Sequence, residues 1–418
     1  MEDAREGGNP AKVGTGGSFG ERVAAAVHEK QSFLVVGIDP RWEWLPQPVL
    51  DASRRLYGDS WEGVANALLR FGRAIIEAVA PYAVAVKPQI AFYEQYGWWG
   101  LEAYAQTVAY AREQGLLVIG DVKRGDIAST AEAYAQAHLG DVPFWSKGGG
   151  DEQAQPRGRR RASLLAVDAV TVNPYLGVDG VLPFIEQAVA HRRGLFVLVR
   201  TSNPSARQLQ DLHVVEPPAA AAERLRRRPA QERTVWQEVA GWVAEWAEAA
   251  RQRAGYDQWS PVGAVVGGTY PQDLAWTREQ LPHSWILVPG YGAQGATAAD
   301  VAQACFGATR RPSPGKSGKG QTDAVGLRAV ADTDTATGAP GTARGGADGP
   351  DLAEPLGVLV NASRSVIYAF RQEQWMSPYK PSLWMRACAD AAKAARDELW
   401  QAALAQTKPG ESADMQHE

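Results

Sequence analysis

Two carboxylates and an ammonium group lie close together at Asp121, Lys123 and Asp126, in a D-x-K-x-x-D pattern. The first two end an apolar run, LLVIGDVK, that predicts a strand, and strand alternation would place the side chains of Asp121 and Lys123 on one face. Carboxylates keep a neighbouring lysine charged, and a charged lysine can donate a proton to a carbanion. The pattern suits a decarboxylation, although a surface ion-pair cluster at a helix start is the simpler explanation of the pattern alone.

A second lysine favours the chemical explanation. Lys87 lies near the end of another apolar run, YAVAVKPQ, which predicts the preceding strand. If the two strands are neighbours, Lys87 can complete a charged tetrad with the three residues of the D-x-K-x-x-D pattern. Ionisable groups gathered in this way are typical of functional sites.

The strands that would position these groups recur along the chain as short, continuous apolar runs, which are typical of parallel strands covered on both faces. The runs span 33–40, 82–89, 116–123, 169–176, 195–202, 262–269, 285–292 and 357–364. Segments with helical periodicity lie between them, for example 61–79, 129–139 and 234–252. This alternation predicts an α/β protein with a single (β/α)8 TIM barrel, with a doubly wound open sheet as the main competitor.

Active sites of such barrels lie at the C-terminal ends of the strands. The chemically informative residues at these predicted ends are Asp39, Lys87, Asp121, Lys123, Asn173, Ser202, Gln294 and Arg364. So many charged side chains on one rim predict a charged pocket.

The predicted barrel domain covers 19–405, with flexible tails at 1–18 and 406–418. Two low-complexity segments, 145–163 and 309–355, are rich in Gly, Ser, Pro and charged residues and interrupt connections from a helix to the next strand. We expect both insertions to be disordered and to lie on the barrel face opposite the active site.

A different irregular stretch, about 204–232, follows the fifth predicted strand and therefore lies on the active-site face. The arginine tract 159–161 is interpreted as part of a solvated loop, without a function in nucleic-acid binding.

The overall composition favours a small-molecule enzyme. With 45% hydrophobic and 22% charged residues the chain can bury a large core, and a net charge of -4 gives no reason to expect nucleic acid or a membrane as partner. Cys305 and Cys388 have no neighbour at metal-ligand spacing, so we expect reduced thiols and no metal. Neither a signal peptide nor a run long enough to span a bilayer is recognisable, which predicts a cytoplasmic protein.

With these motifs the sequence resembles the orotidine 5'-phosphate decarboxylase family, particularly its bacterial branch. The motifs that carry the resemblance, besides Lys87, are DVKRGDIAST, TVNPYLG, RTSNPSA, PGYGAQG and NASR, and it extends from about residue 20 to 400 apart from the insertions. The resemblance implies cofactor-free decarboxylation of orotidine 5'-monophosphate to uridine 5'-monophosphate in de novo pyrimidine biosynthesis. It also implies a homodimer with shared active sites.

By this resemblance the tetrad residues have separate roles. Lys123 would protonate the C6 carbanion that remains when carbon dioxide departs, and Asp121 would lie against the departing carboxylate. Lys87 would hold Asp121 and a ribose hydroxyl. Asp126 would reach into the active site of the other subunit.

The resemblance also implies residues that bind the substrate. Asp39 would bind the ribose, Ser202 the pyrimidine ring, and Gln294 with Arg364 the phosphate, while Thr130 would lie at the dimer interface near the same site. Asn173 is kept as a residue that lines the site. The simpler explanations stay open: Asp39 and Asn173 as turn residues, Thr130 as a helix cap and Ser202 as a loop hydroxyl.

Two other functions remain as alternatives. One is a phosphosugar decarboxylase of the same suprafamily, such as the magnesium-dependent 3-keto-L-gulonate 6-phosphate decarboxylase. Lys87 is evidence against this alternative, because its ammonium group would repel the magnesium ion. The other is a non-catalytic phosphate-binding barrel, which would have no need of the tetrad.

Overall fold

The eight predicted strands form a closed parallel barrel. A computed structural model of the chain describes residues 16–144, 160–215, 233–292, 295–307 and 356–407. The barrel strands are β1 Leu34–Ile38, β2 Ala85–Pro88, β3 Leu117–Arg124, β4 Ala169–Val172, β5 Gly194–Arg200, β6 Val262–Val266, β7 Ile286–Pro289 and β8 Val358–Ala362. They follow one another around the barrel in chain order, and β8 closes it against β1. The prediction of a single (β/α)8 TIM barrel is confirmed.

Helices surround this barrel between successive strands. The longer ones are Phe19–Lys30, Gln47–Tyr57, Trp61–Val79, Gly97–Glu113, Ala128–Leu139, Val178–Ala190, Val235–Ala254, Pro271–Gln280, Ala298–Phe306 and Trp384–Thr407. Single α-helical turns are Ala91–Glu94, Arg207–Gln210, Arg364–Ile367 and Glu373–Met376. The helix predicted over 61–79 is observed with the same bounds, Trp61–Val79. It starts at Trp61 because the hydroxyl of Ser60 caps it by accepting a hydrogen bond from the Gly63 N–H (3.0 Å).

The strands are buried on both faces, which explains their continuous apolar sequences. Every residue of β1 and of β6 is buried, and phenylalanines such as Phe196 in β5 are fully enclosed. Each such side chain contributes about 1.5–3 kcal/mol through burial. The core therefore fixes the barrel and leaves the strand ends free to carry polar groups.

A buried ion pair at the amino end of the barrel ties the first helix to the sheet. The carboxylate of Asp168, just before β4, accepts hydrogen bonds from the Arg22 guanidinium (2.6 Å) and from the Val118 N–H in β3 (3.0 Å). Burial alone would raise the pKa of Asp168, but Arg112 and Arg22 reverse this effect and lower it. The pair lies away from the strand ends that carry the predicted site.

The flanks of the irregular segments are partly described. Arg160–Ala162 pairs antiparallel with Asp141–Pro143, so the end of the first predicted insertion is an ordered hairpin strand and not disordered. Residues 145–159 of that insertion and the whole of 309–355 lie outside the described residues. A second short hairpin joins His213–Val214 to Arg233–Thr234 on either side of 216–232, which also lies outside them.

No helix within the described ranges is both long and apolar enough to cross a membrane.

Candidate active site

The D-x-K-x-x-D stretch contains a β-bulge. Strand β3 pairs with β4 through Gly120 and Val170, and the next paired residues are Arg124 and Val172, so that 121–123 lie opposite Thr171 alone. Within the bulge Lys123 has a φ of 43°, in the left-handed region that residues other than glycine rarely adopt. The prediction that regular strand alternation would orient Lys123 is therefore wrong, because the bulge interrupts the alternation.

The bulge nevertheless brings the expected charges together. Asp121 lies between two lysines: Lys87 Nζ contacts its Oδ2 at 2.5 Å, and Lys123 Nζ contacts its Oδ1 at 2.5 Å. The side chains of Lys87 and Asp121 are each 8% exposed, whereas that of Lys123 is 46% exposed. The cluster thus has a buried half and a half that can meet solvent or a ligand.

Electrostatics keep the buried pair ionised. Burial would raise the pKa of Asp121, but the ammonium groups of Lys87 and Lys123 outweigh it and hold the pKa well below its usual range. Burial would likewise lower the pKa of Lys87, and the carboxylates of Asp121 and then Asp39 raise it above its usual value. A carboxylate and an ammonium group therefore stand side by side at neutral pH.

Asp39 belongs to the same mouth, just beyond the end of β1. Its backbone carbonyl accepts a hydrogen bond from the Tyr368 hydroxyl (2.9 Å), which fixes the turn. Its Oδ1 is buried and has no hydrogen-bond partner among the described residues. A buried acceptor left open beside Lys87 is suited to receive a hydroxyl group of a ligand.

The structure does not join Asp126 to the other three tetrad residues within one chain. Its Oδ1 accepts a hydrogen bond from the Ile127 N–H (2.8 Å), just before the helix Ala128–Leu139. Thr130 lies exposed in the first turn of that helix. Asp126 is half-buried, and among the described residues no hydrogen bond or ion pair links it to the cluster.

Thr171, the hydroxyl residue opposite the bulge, belongs to the site although it was not predicted from the sequence. Its side chain donates a hydrogen bond to Asp121 Oδ1 (3.0 Å) and is 2% exposed. The signal was available, since Thr171 is the polar residue of the otherwise apolar run AVTV and lies two residues before Asn173 in TVNPYLG.

Two of the predicted ligand residues have local structural roles. The side-chain oxygen of Asn173 accepts a hydrogen bond from the Tyr175 N–H (3.0 Å). This bond is typical of an asparagine in a turn, which was the simpler explanation of Asn173. Ser202 is half-buried after β5 and packs against the end of β6, where a side chain at Gly267 would come within 3.0 Å of its Cβ. The roles of Asn173 and Ser202 toward a ligand stay predictions.

The loops after β7 and β8 form the other side of the mouth. Gly290, Gly292 and Gly295 all have positive φ, which leaves the loop backbone open to close approach. Arg364 is exposed directly after β8, while Gln294 lies outside the described residues. A further contact that was not predicted from the sequence holds this loop in place: the Tyr291 hydroxyl donates a hydrogen bond to Glu398 (2.7 Å) in the helix Trp384–Thr407.

Comparison with known proteins identifies the family of the chain. The model of the orotidine 5'-phosphate decarboxylase / HUMPS family matches residues 32–310. The chain belongs to this family. An orotidine 5'-phosphate decarboxylase of Rhodopirellula baltica is 36% identical over 382 residues, covering 91% of this chain and 97% of that protein. A Thermomicrobium roseum protein of the same name is 38% identical over 298 residues, covering 71% and 83%.

A solved structure of Leishmania donovani OMP decarboxylase has the same fold. It is 25% identical, covers 93% of this chain and 99% of its own length, and superposes with a TM-score of 0.54. The family that the motifs indicated is thus confirmed, and the strand ends that carry Lys87 and Asp121 lie within the matched residues.

Proposed function

We infer that this protein decarboxylates orotidine 5'-monophosphate to uridine 5'-monophosphate, a step of de novo pyrimidine biosynthesis, and that Lys123 supplies the proton. Family membership and the named relatives support the reaction. The observation that carries the assignment to this site is the Asp121 carboxylate held between Lys87 and Lys123 at the barrel mouth.

Asp121 acts on the departing group. Because its pKa is held low, it is an anion at neutral pH, and a substrate carboxylate placed beside it is repelled. Loss of carbon dioxide moves that charge from the carboxylate to C6, where the Lys123 ammonium neutralises it, so the repulsion destabilises the bound substrate more than the transition state. Lys87 keeps Asp121 charged and in place.

Lys123 completes the reaction. The bond between C6 and the carboxylate carbon breaks, carbon dioxide leaves, and the electron pair stays on C6. The Lys123 ammonium then donates its proton to C6, which gives the product and a neutral amine. Since the side chain is half-exposed, the amine regains a proton from solvent after product release.

The remaining mouth residues fit the other parts of the nucleotide. The open Oδ1 of Asp39 would accept a ribose hydroxyl, and Ser202, just after β5, would contact the pyrimidine. The glycine loop after β7, with Gln294 and Arg364, is suited to the phosphate, because late barrel strands are a recurrent phosphate site and arginine can engage two phosphate oxygens. Asn173 shapes the rim next to Gly125.

A magnesium-dependent phosphosugar decarboxylase is less consistent with this geometry. Lys87 places a buried ammonium group 2.5 Å from the carboxylate that a cation would need. Because the positive charge of Lys87 already neutralises that carboxylate, a divalent ion would meet repulsion there. We therefore propose a reaction without a metal or an organic cofactor.

The proposal includes a homodimer with shared active sites in the cytoplasm. Asp126 precedes Ile127, whose side chain is 51% exposed, and Tyr175, in the loop after β4, is 76% exposed. A second subunit would cover these side chains and bring its Asp126 to the half-exposed Lys123 of its neighbour.

The direct test follows the loss of orotidine 5'-monophosphate by ultraviolet absorbance in the wild-type protein and in Lys123→Ala. Wild type should turn the substrate over with or without a chelator. Lys123→Ala should lose at least about 100-fold in kcat, given that general acid catalysis contributes roughly 10²–10⁴-fold. Lys393→Ala removes another half-exposed, ion-paired lysine and is the control.

Each outcome is decisive. A wild-type protein that does not turn over this substrate would support the non-catalytic barrel, and chelator-sensitive turnover of a sugar phosphate would support the magnesium-dependent relative. Near-normal turnover by a folded Lys123→Ala protein would refute the role of the lysine. Circular dichroism establishes that the variants fold.

A further inference from the structure

We propose that Thr171 is a positioning residue that sets the geometry between Asp121 and Lys123. This inference rests on the proposed function, since it assigns Thr171 an effect on the same carboxylate and lysine. In the bulge, 121–123 lie opposite Thr171 alone.

The bulge leaves backbone groups without partners in the strand ladder. The Thr171 hydroxyl oxygen accepts hydrogen bonds from the N–H groups of Val122 (3.1 Å) and Lys123 (3.0 Å). Buried backbone N–H groups must be paired, so this oxygen replaces the carbonyl that a regular strand would present. It stabilises the left-handed conformation at Lys123, which is costly for a residue with a Cβ.

These two bonds determine where the hydroxyl hydrogen points. A hydroxyl group has one donor and two acceptor lone pairs. Both lone pairs face the N–H groups of the bulge, so the hydrogen is directed to the third neighbour, Asp121 Oδ1 at 3.0 Å. The hydroxyl therefore has no alternative orientation.

The Thr171 hydroxyl is thus hydrogen-bonded both to the backbone at Lys123 and to the Asp121 carboxylate. Asp121 Oδ1 is held by Lys123 Nζ and by Thr171, while Oδ2 is held by Lys87. Thr171 therefore links two groups. One is the backbone segment that orients the Lys123 side chain, and the other is the Asp121 carboxylate that Lys123 contacts. Displacements of about 1 Å at a reacting group can cost on the order of 100-fold in rate, so loss of this link should lower kcat.

The alternative is that Thr171 is a β-branched strand residue that only packs. Valine has the same shape without the hydroxyl, and serine keeps the hydroxyl without the methyl group. Packing alone predicts that Thr171→Val behaves as wild type and Thr171→Ser is the poorer protein. Positioning predicts the reverse order.

The experiment measures kcat and KM for orotidine 5'-monophosphate across pH in both variants. We expect Thr171→Val to lower kcat at least about 10-fold with KM within about threefold, and Thr171→Ser to keep kcat within about threefold of wild type. The acidic limb of the kcat profile should move to higher pH in Thr171→Val, because the carboxylate has lost a donor.

Thr277→Val is the matched control. Thr277 is also fully buried and its hydroxyl donates to a backbone carbonyl, that of Asp273 (2.8 Å), away from the cluster. Its loss should affect stability and leave kcat and the pH profile unchanged. If Thr171→Val does not fold, the same comparison is made between Thr171→Ser and Thr171→Ala.

The outcomes separate this inference from the proposed function. Wild-type kcat and pH profile in Thr171→Val, together with an inactive Lys123→Ala, would overturn the positioning role and leave the function intact. An active Lys123→Ala would overturn the proposed mechanism itself. Loss of kcat in Thr171→Val with recovery in Thr171→Ser would support positioning.

Discussion

The Lys87–Asp121 pair allows a quantitative test of the charge cluster through stability. Lys87→Met keeps most of the side-chain volume and removes the charge that lies 2.5 Å from Asp121 Oδ2. Breaking a buried pair by removing one partner costs about 3–5 kcal/mol, because it leaves an uncompensated charge. Since Oδ1 keeps Lys123 and Thr171, we expect the lower end, about 3 kcal/mol of unfolding free energy at pH 7.

The pH dependence of this loss has a definite sign. In wild type the pKa of Asp121 is lowered, so its contribution to stability is present above the unfolded pKa of about 3.9 and is lost as the pH falls. The pKa of Lys87 is raised, so its contribution is complete at pH 7 and is lost only well above pH 10. Without Lys87, burial raises the pKa of Asp121, the carboxylate protonates earlier, and the deficit should shrink between pH 7 and pH 4.

Urea unfolding followed by circular dichroism at a series of pH values measures both effects. Lys123→Met is the control, because it removes a lysine at the same distance from the same carboxylate but 46% exposed. Solvent screens that pair, so its loss should cost less than about 1 kcal/mol. A loss below 1 kcal/mol in Lys87→Met, or a deficit that grows toward pH 4, would refute the reasoning.

Two further predictions concern the shared site and the amino end of the barrel. Lys123→Ala and Asp126→Ala should each be inactive. Co-expression of the two variants should restore up to about a quarter of wild-type activity, since about half of the dimers would be mixed and each mixed dimer would contain one intact site. Purified mixed dimers without activity would contradict a shared site. Asp168→Asn should cost about 3 kcal/mol of unfolding free energy at pH 7, because Arg22 loses its buried partner, and kcat should stay unchanged. As the pKa of Asp168 is lowered, this cost should stay constant from pH 7 to about pH 4 and diminish as the pH falls further, and a cost in urea unfolding that stays constant below pH 4 would argue against the ion pair.

The sequence by itself determined the barrel. Continuous apolar runs and helical periodicity are local properties, and they located the eight strands and the helix 61–79 because hydrophobic burial selects the same pattern in every parallel barrel. The sequence also placed Lys87, Asp121 and Lys123 at strand ends on one rim, since parallel strands all end on the same side. Ordered motifs then indicated the family.

Only the tertiary structure decided how these groups meet. The bulge at 121–123 depends on how β3 pairs with β4, and no local pattern encodes that register. The same pairing brings Thr171 onto Asp121 from a strand 50 residues away and leaves Asp126 outside the cluster. Hydrogen-bond geometry and pKa values depend on distances and burial between distant segments, and these arise only when the barrel closes.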